Sequence, residues 1–542
     1  MKISIGQINS TVGAFEKNAQ IILEQCKSAV TAGSDLIVFP ELSLFGYWPA
    51  DLLERTEAIK KQTRALNKLA RQIPKGLAVL VGAVTLNKDK FGKRYHNSAV
   101  LLIRGKSTKY FHKEMLPTYD IYDEARYFAR GQLEKNVFQW KGQRIHVSIC
   151  EDMWMSNKSW VGTRNAKDPF LKVKPGSIDL AVNLSASPYV PNKIRTRRKL
   201  ATQIAKRLRC PFVYVNMVGA QDEVIFDGGS FVVSKKGDLL LQSRFFESAL
   251  DHIEFDKSRP PKKMKSQDTT SASAQLKSAL VLGIKDFCEK NGLKRVHLGL
   301  SGGIDSALVA CLASEAVGPN NVTLIALPGP FTESKSTTLA KKLSENLGCD
   351  FRQFSIVETY ESLSKSLSPL LGNIPFGITH ENLQSRLRGL SLMAYSNAHN
   401  SLLLTTGNKS EYATGHATLY GDMCGGLAPI GDLLKHQVYE LSKLYNLNSE
   451  LIPPEIIERP PTAELRANQR DQDSLPPYDE LDAAVADVVV KGETRRTPTH
   501  AWLLDQLLKT EFKRWQAAPI LRVSEHAFGR GRRFPITNRS AD

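Results

Sequence analysis

Apolar and polar positions alternate over residues 2–8, the pattern of a strand with one covered face. From 15 to 32 the apolar positions recur at helical spacing, and the run stops at Gly33, a residue suited to ending a helix. An apolar strand, Leu36-Ile-Val-Phe39, comes next. Further strands are predicted at 79–85, 97–103, 145–150, 179–184 and 212–216. The longest apolar stretch, Leu77 to Leu86, is half the ~20 residues that a membrane-spanning helix needs, and it reads as a buried strand. Strands alternating with helices predict an α/β module.

That pattern breaks at 256–272, DKSRPPKKMKSQDTTSA, which is polar, charged and without apolar periodicity. It reads as a linker between a first domain, 1–255, and a second, 273–542. Beyond it the alternation restarts. A helix is predicted over about 274–291, then strand 295–300, a glycine turn and a helix from about 305. Strand 322–327 follows, then helices over about 335–347 and 382–398, and strand 401–406. The order is that of a doubly wound parallel sheet. The stretch 453–478, rich in proline and charge, reads as a mobile loop of the kind that often serves function. No internal repeat is present.

A chain of 542 residues exceeds one ordinary core, in keeping with two domains. The opening MKISIGQINS has neither the apolar segment nor the cleavage site of a signal peptide, so a cytoplasmic location is expected. Seven cysteines, an odd number with no CxxC spacing, point away from a disulfide framework or a zinc site. The net charge of +18 suits anionic substrates. No long lysine tract or aromatic RNA-binding motif accompanies it, so no nucleic-acid partner is expected.

Three residues at predicted strand ends carry candidate chemistry. Cys150 closes the strand Ile145-His-Val-Ser-Ile-Cys150, Glu41 follows Leu36-Ile-Val-Phe-Pro40, and Lys113 lies in the segment after strand 97–103. A thiol attacks an amide as thiolate. A carboxylate takes its proton, and an ammonium stabilises both thiolate and oxyanion. Spacing alone leaves the other arrangement open, with Cys150 a core thiol and Glu41 and Lys113 surface charges. The words FPELSLFGY, FHKEMLPTY followed by DEARYF, and CEDMW resemble, in order and separation, the three catalytic motifs of the nitrilase superfamily. The resemblance covers about residues 1–250. It implies an αββα sandwich, with Glu41 as general base, Lys113 as oxyanion stabiliser and Cys150 as nucleophile. By resemblance to its glutamine-using members, Tyr119, Ser187 in Asn183-Leu-Ser-Ala-Ser-Pro-Tyr, and Lys193 hold glutamine.

The second constellation is Leu300-Ser-Gly-Gly-Ile-Asp-Ser306, between a predicted strand and a predicted helix. Its glycines let backbone N–H groups approach a phosphate, and the helix N-terminus adds a positive dipole. Ser301 and Ser306 offer hydroxyls, while Asp305 can cap the helix or hold Mg²⁺. The pattern is not Walker A, whose nearest candidate, Gly105-Lys-Ser107, has Val100 where the first glycine should stand. SGGIDS resembles the PP-loop of ATP pyrophosphatases, enzymes that cleave ATP between the α- and β-phosphates to adenylate a substrate.

Further words, Glu381-Asn-Leu-Gln-Ser-Arg-Leu-Arg388, Thr405-Thr-Gly-Asn-Lys-Ser-Glu411 and Leu419-Tyr-Gly-Asp-Met-Cys-Gly-Gly426, resemble those of NAD synthetases. That resemblance implies an ATP site of Leu300, Ser301, Gly302, Gly303, Ile304, Asp305, Ser306 and Thr406. It implies Asn382, Glu411 and Lys513 for deamido-NAD, and Asp305 and Glu411 for Mg²⁺. His416-Ala417 and His436 depart from the family's usual residues. Joined in one chain, the two halves imply amidation of deamido-NAD with ammonia from glutamine. ATP is the expected co-substrate and Mg²⁺ the cofactor. A cytoplasmic homo-oligomer with no membrane partner is expected. Two other readings are an RNA-modifying PP-loop enzyme and a carbon–nitrogen hydrolase with a nucleotide-binding regulatory half. The first lacks a nucleic-acid-binding appendage, and the second leaves the ordered second-half motifs without a role.

Overall fold

The computed structural model describes residues 1–89, 91–156, 168–255, 261, 264, 271–493 and 497–538. Most of the expected linker 256–272 lies outside the described residues. The chain divides into two compact units, Met1–Thr270 and Ser271–Asp542.

In the first unit, strands β1 (Lys2–Gln7), β2 (Leu36–Val38), β3 (Ala78–Leu86), β4 (Tyr95–Ile103) and β5 (Lys109–His112) belong to one six-stranded sheet. A second holds β6 (Val137–Trp140), β7 (Gln143–Ile149), β8 (Leu180–Ser185) and β9 (Phe212–Asn216). A short hairpin, β10 (Val218–Gln221) and β11 (Val224–Asp227), stands apart. Strands β12 (Phe231–Val233) and β13 (Leu239–Gln242) join the second sheet, and β14 (Ala249–Glu254) returns to the edge of the first. The orders are β14-β1-β2-β3-β4-β5 and β13-β12-β9-β8-β7-β6, with β1, β2 and β3 parallel in one sheet and β7, β8 and β9 parallel in the other.

The apolar alternation explains the layers. Ile3, Ile5, Val38 and Leu80 from one sheet share a core with Val147, Val182, Leu184 and Val215 from the other. The opposite face of the first sheet buries Ile37 and Val79 against Ile22 of α1 (Phe15–Thr31) and Leu66 of α2 (Thr56–Gln72). A one-turn helix, α3 (Glu124–Tyr127), follows β5. On the second sheet, Ala181 and Phe212 meet Ile204 and Leu208 of α4 (Lys193–Leu208). This is the expected αββα sandwich.

The second unit opens with α5 (Ala272–Lys290), capped by the Ser271 side chain. Its sheet is wholly parallel, in the order β17 (Asp350–Gln353), β16 (Val322–Ala326), β15 (Val296–Gly299), β18 (Leu402–Leu403). Counted along the chain, that order is 3-2-1-4. It reverses beside β15, and ligands of doubly wound sheets bind at such a point. Further helices of this half include α6 (Ile304–Val317), α7 (Ser334–Leu347), α8 (Val357–Leu371), α9 (Ile378–His399), α10 (Lys409–Thr414) and α11 (Lys435–Tyr445). Helix α8 had no counterpart in the sequence reading, and α9 begins four residues earlier than expected.

The stretch 453–478, expected as irregular, holds a short helix, Pro454–Glu458, started by prolines. Ile452, Ile456 and Leu475 anchor it by burial. No described helix is long and apolar enough to cross a membrane.

Candidate active sites

Glu41, Lys113 and Cys150, distant in sequence, meet in the first unit. Strand β2 delivers Glu41, β5 delivers Lys113 and Cys150 directly follows β7. Gly82 on β3 permits the approach of the Glu41 loop, since a Cβ there would lie 2.1 Å from Leu42 N. Lys113 Nζ donates to Glu41 Oε1 at 2.7 Å and to Glu124 Oε1 at 2.8 Å, with all three side chains buried. Asn97 Nδ2 also donates to Glu41 Oε1, at 2.7 Å, and the Ala186 N–H reaches Glu41 Oε2 at 3.0 Å. Cys150 sits at φ 40°, a left-handed backbone rare for a side chain of its kind. Such strain collects where a reactive group must be aimed out of a strand end.

The electrostatics follow from burial. Burial, reinforced by Glu41, pushes the Cys150 thiol well above its ordinary range against the pull of Lys113. The resting group is therefore a thiol, with Glu41 beside it. For Lys113 burial opposes the charge, but Glu124 and Glu41 outweigh it and hold the side chain as a cation. Glu124 is lifted by burial and by Glu41, with Lys113 opposing. The sequence reading did not single out Glu124, although it lies in the quoted word DEARYF.

The three expected glutamine ligands surround this cluster. The Tyr119 hydroxyl donates to Glu151 Oε2 at 3.0 Å. Burial and the adjacent Glu151 raise the Tyr119 phenol, which stays protonated. Lys193 opens α4, with Nζ 5.4 Å from the Trp154 ring centroid. Burial and the Arg197 guanidinium depress its pKa to about 8. Ser187 is buried, with its hydroxyl accepting from Arg197 Nε at 3.2 Å. Arg197 is itself fixed by two 2.8 Å bonds to Asp227. A further group escaped the sequence reading. Glu151, next to Cys150, is buried, and its Oε1 has no hydrogen-bond partner among the described residues. Burial raises its pKa, against the pull of Lys113.

In the second unit a cavity of about 390 Å³ opens at the end of β15. Leu300, Ser301, Gly303, Ile304, Asp305, Ser306 and Thr406 line it, as do Asn382, Glu411 and Lys513. Gly302, the remaining residue of the expected ATP set, forms the turn behind it. At φ +80° it presses on Ser336, whose carbonyl oxygen would stand 2.4 Å from any Cβ at this position. Ser301 and Ser306 lie hydroxyl to hydroxyl at 3.1 Å, and Gly303 caps α6 with its backbone alone. The result is a glycine turn with two hydroxyls at a helix N-terminus, a setting that favours anions.

Asp305 accepts from Asn408 Nδ2 at 2.9 Å and pairs with Lys435 Nζ at 2.5 Å. Asn408 also forms a capping box with Glu411. Burial and the Asp305 charge drive Glu411 well above the usual carboxylate range, with Lys435 opposing. Lys435 itself is driven up by Asp305 and Glu411, although burial works against its charge. Two mutually repelling carboxylates fit a divalent cation. Among the described residues no cluster of three or more His, Cys, Asp or Glu is set to hold a metal. Mg²⁺ takes one or two carboxylates and completes its shell with phosphate oxygens and water, a demand that two carboxyl groups beside a phosphate can meet.

Elsewhere along the wall, Asn382 Oδ1 accepts from the Thr418 hydroxyl at 2.8 Å, and Lys513 Nζ donates to the carbonyls of Gly415 and Ala417 at 2.8 Å each. His416 and Ala417, the atypical residues, also line the cavity, whereas His436 pairs with Asp482 at 2.9 Å. Sequence reasoning missed Lys435 and Asn408, although Asn408 lies in a quoted motif.

Comparison with known proteins bears on both units. A family model described as Carbon-nitrogen hydrolase matches residues 2–257, and one described as NAD synthase matches 276–517. The chain is 42% identical to a glutamine-dependent NAD(+) synthetase of Synechocystis, across 98% of each. To the Thermotoga maritima protein of that name it is 36% identical, across 99% of each. Among solved structures, the glutamine-dependent NAD+ synthetase of Acinetobacter baumannii in complex with ADP superposes with a TM-score of 0.79. It is 35% identical, over 99% of this chain and 98% of that one.

Proposed function

The chain belongs to the glutamine-dependent NAD synthetases, and from that premise we propose that its first unit hydrolyses glutamine and its second adenylates deamido-NAD and amidates it with the ammonia released. In the first site the Cys150 thiol gives its proton to Glu41 as the sulfur–carbon bond forms at the side-chain amide. The oxyanion faces Lys113. The proton passes on to the nitrogen as the carbon–nitrogen bond breaks, and NH₃ leaves. Water then hydrolyses the thioester, giving glutamate and the thiol.

Glutamine also carries an α-carboxylate and an α-ammonium. Lys193 and the Tyr119 and Ser187 hydroxyls suit the first. The partnerless Glu151 oxygen suits the second, since a buried acceptor without a donor is costly until a ligand supplies one.

In the second site a carboxylate oxygen of deamido-NAD attacks the α-phosphorus of ATP, and pyrophosphate leaves. Ammonia then displaces AMP at the acyl carbon. Ser301, Ser306 and the N–H groups around Gly303 receive the polyphosphate. Asn382 and Lys513 receive deamido-NAD. Asp305 and Glu411 hold Mg²⁺, which neutralises phosphate charge when bound. The observation that carries this reading is the joint presence in one chain of a buried Cys/Glu/Lys cluster and a phosphate recess with paired carboxylates.

The adenylate is tested with deamido-NAD carrying ¹⁸O in its carboxylate. One labelled oxygen is expected in the AMP formed. Unlabelled AMP alongside NAD would contradict it.

The quaternary structure we propose is a homo-oligomer in the cytoplasm, where ATP, glutamine and reduced thiols coexist. Ile378, Leu390 and Met393 of α9 and the nearby Leu370, Ile374 and Phe376 are exposed apolar side chains. A second copy would cover them.

A further inference from the structure

Asn97 touches both Glu41 and Lys113. It lies on β4, paired with Val84 of β3, and is 1% exposed. Its carbonyl accepts the Lys113 N–H at 2.9 Å, while its side-chain Nδ2 donates to Glu41 Oε1 at 2.7 Å. Its own Oδ1 is buried with no hydrogen-bond partner among the described residues. A residue serving packing alone would avoid that cost, which an apolar side chain of similar size does not carry. The reverse orientation of the amide is worse, since it would set an oxygen against the Glu41 carboxylate.

The donors divide unequally between the two oxygens of Glu41. Oε1 takes Lys113 Nζ at 2.7 Å and Asn97 Nδ2 at 2.7 Å. A carboxylate oxygen has two in-plane lone pairs, so Oε1 is filled. Among the described residues Oε2 takes only the Ala186 N–H, at 3.0 Å, which leaves it one lone pair.

We propose that Asn97 is a positioning residue for glutamine hydrolysis, which fills Glu41 Oε1 so that Oε2 alone exchanges the proton with Cys150. This rests on the reading of Glu41 as base and Cys150 as nucleophile. In the exchange the sulfur–hydrogen bond breaks, an Oε2–hydrogen bond forms, and the same proton later leaves with the ammonia. Among the described residues, Lys113, Glu124, Cys150, Glu151 and Tyr47 interact electrostatically with Glu41. Of these five Lys113 is the cation, so a neutral donor to the Glu41 carboxyl has a measurable effect.

The test uses the full chain with Asn97→Ala and the isosteric Asn97→Asp, and Glu41→Gln for comparison. Synthesis from ammonium, which bypasses the site, reports that each variant is folded. Loss of a donor to a charged acceptor is expected to lower kcat for glutamine by about 10- to 100-fold and to move the acid limb of kcat/KM upward by about one pH unit, further in Asn97→Asp. KM for glutamine should stay within about threefold, since Asn97 does not touch the substrate. A loss of amplitude with an unmoved acid limb marks a merely structural role and overturns the proposal, as does a wild-type kcat in either variant. Retained glutaminase activity in Glu41→Gln would instead overturn the underlying assignment of the base.

Discussion

Lys113 places its ammonium 2.7 Å from Glu41 Oε1 in an ion pair with no solvent exposure on either side chain. Glu124 shares the same ammonium at 2.8 Å. Removing the cation leaves two carboxylates together out of water, and breaking a buried pair typically costs about 3–5 kcal/mol. Lys113→Met should therefore abolish glutamine hydrolysis and lower the unfolding temperature. Synthesis from ammonium below that temperature should persist. Calorimetry alongside both assays checks this; an unchanged transition with active glutaminase would refute it.

The partnerless oxygen of Glu151 gives a substrate-specific expectation. A hydrogen bond between charged groups contributes about 1.5–3 kcal/mol, so Glu151→Gln should raise KM for glutamine by about 10- to 100-fold. Hydrolysis of 4-carbamoylbutanoate, which lacks the α-amino group, should not suffer in proportion. Equal losses on both substrates would remove Glu151 from the ammonium subsite.

Lys193 supplies a pH dependence. Its pKa is depressed to about 8 by burial and by Arg197, so the side chain is a cation below that pH and neutral above it. The cation is the form that attracts the α-carboxylate. kcat/KM for glutamine should fall as pH rises through about 8, because this ratio reports ionisations of the free enzyme. Lys193→Arg, whose charge does not titrate in this range, should keep the ratio level. An alkaline limb at the same pH in both proteins would point to another group.

In the second unit Asp305 joins Asn408, Lys435 and the proposed Mg²⁺ position. Asp305→Asn should suppress synthesis from glutamine and from ammonium alike, by about 10²–10³, the scale of one electrostatic contact to a developing charge. Pyrophosphate release is the readout, with circular dichroism to verify folding. Near-normal release by the folded variant would contradict the assignment.

Much of this was legible in the sequence because the chemistry sits at strand ends. The apolar runs 36–39 and 145–150 located Glu41 and Cys150, and the glycine turn at 302–303 located the phosphate recess. Residues that act through long-range partners were not legible. Asn97 reads as an ordinary polar position of a strand until β4 is laid beside the Glu41 loop. Lys435 lies 130 positions from Asp305, and no local pattern marks their pairing. Helix α8 has apolar positions at helical spacing, with Tyr360 and Leu363 packed on Ile356 and Leu387, but it buries no residue fully and lies outside the strand–helix alternation that guided the reading. The stretch 453–478 reads as irregular because its prolines and charges outnumber its buried anchors, Ile456 and Leu475.

The central claim is that one chain makes ammonia at one site and consumes it at another. Replacing Cys150 with alanine removes the proposed nucleophile of the first site and leaves the second untouched. The decisive measurement is NAD formation by Cys150→Ala from ATP and deamido-NAD, with either glutamine or ammonium as nitrogen donor. No NAD from glutamine and a rate near wild type from ammonium are expected; NAD formation from glutamine at the wild-type rate would contradict the assignment of Cys150.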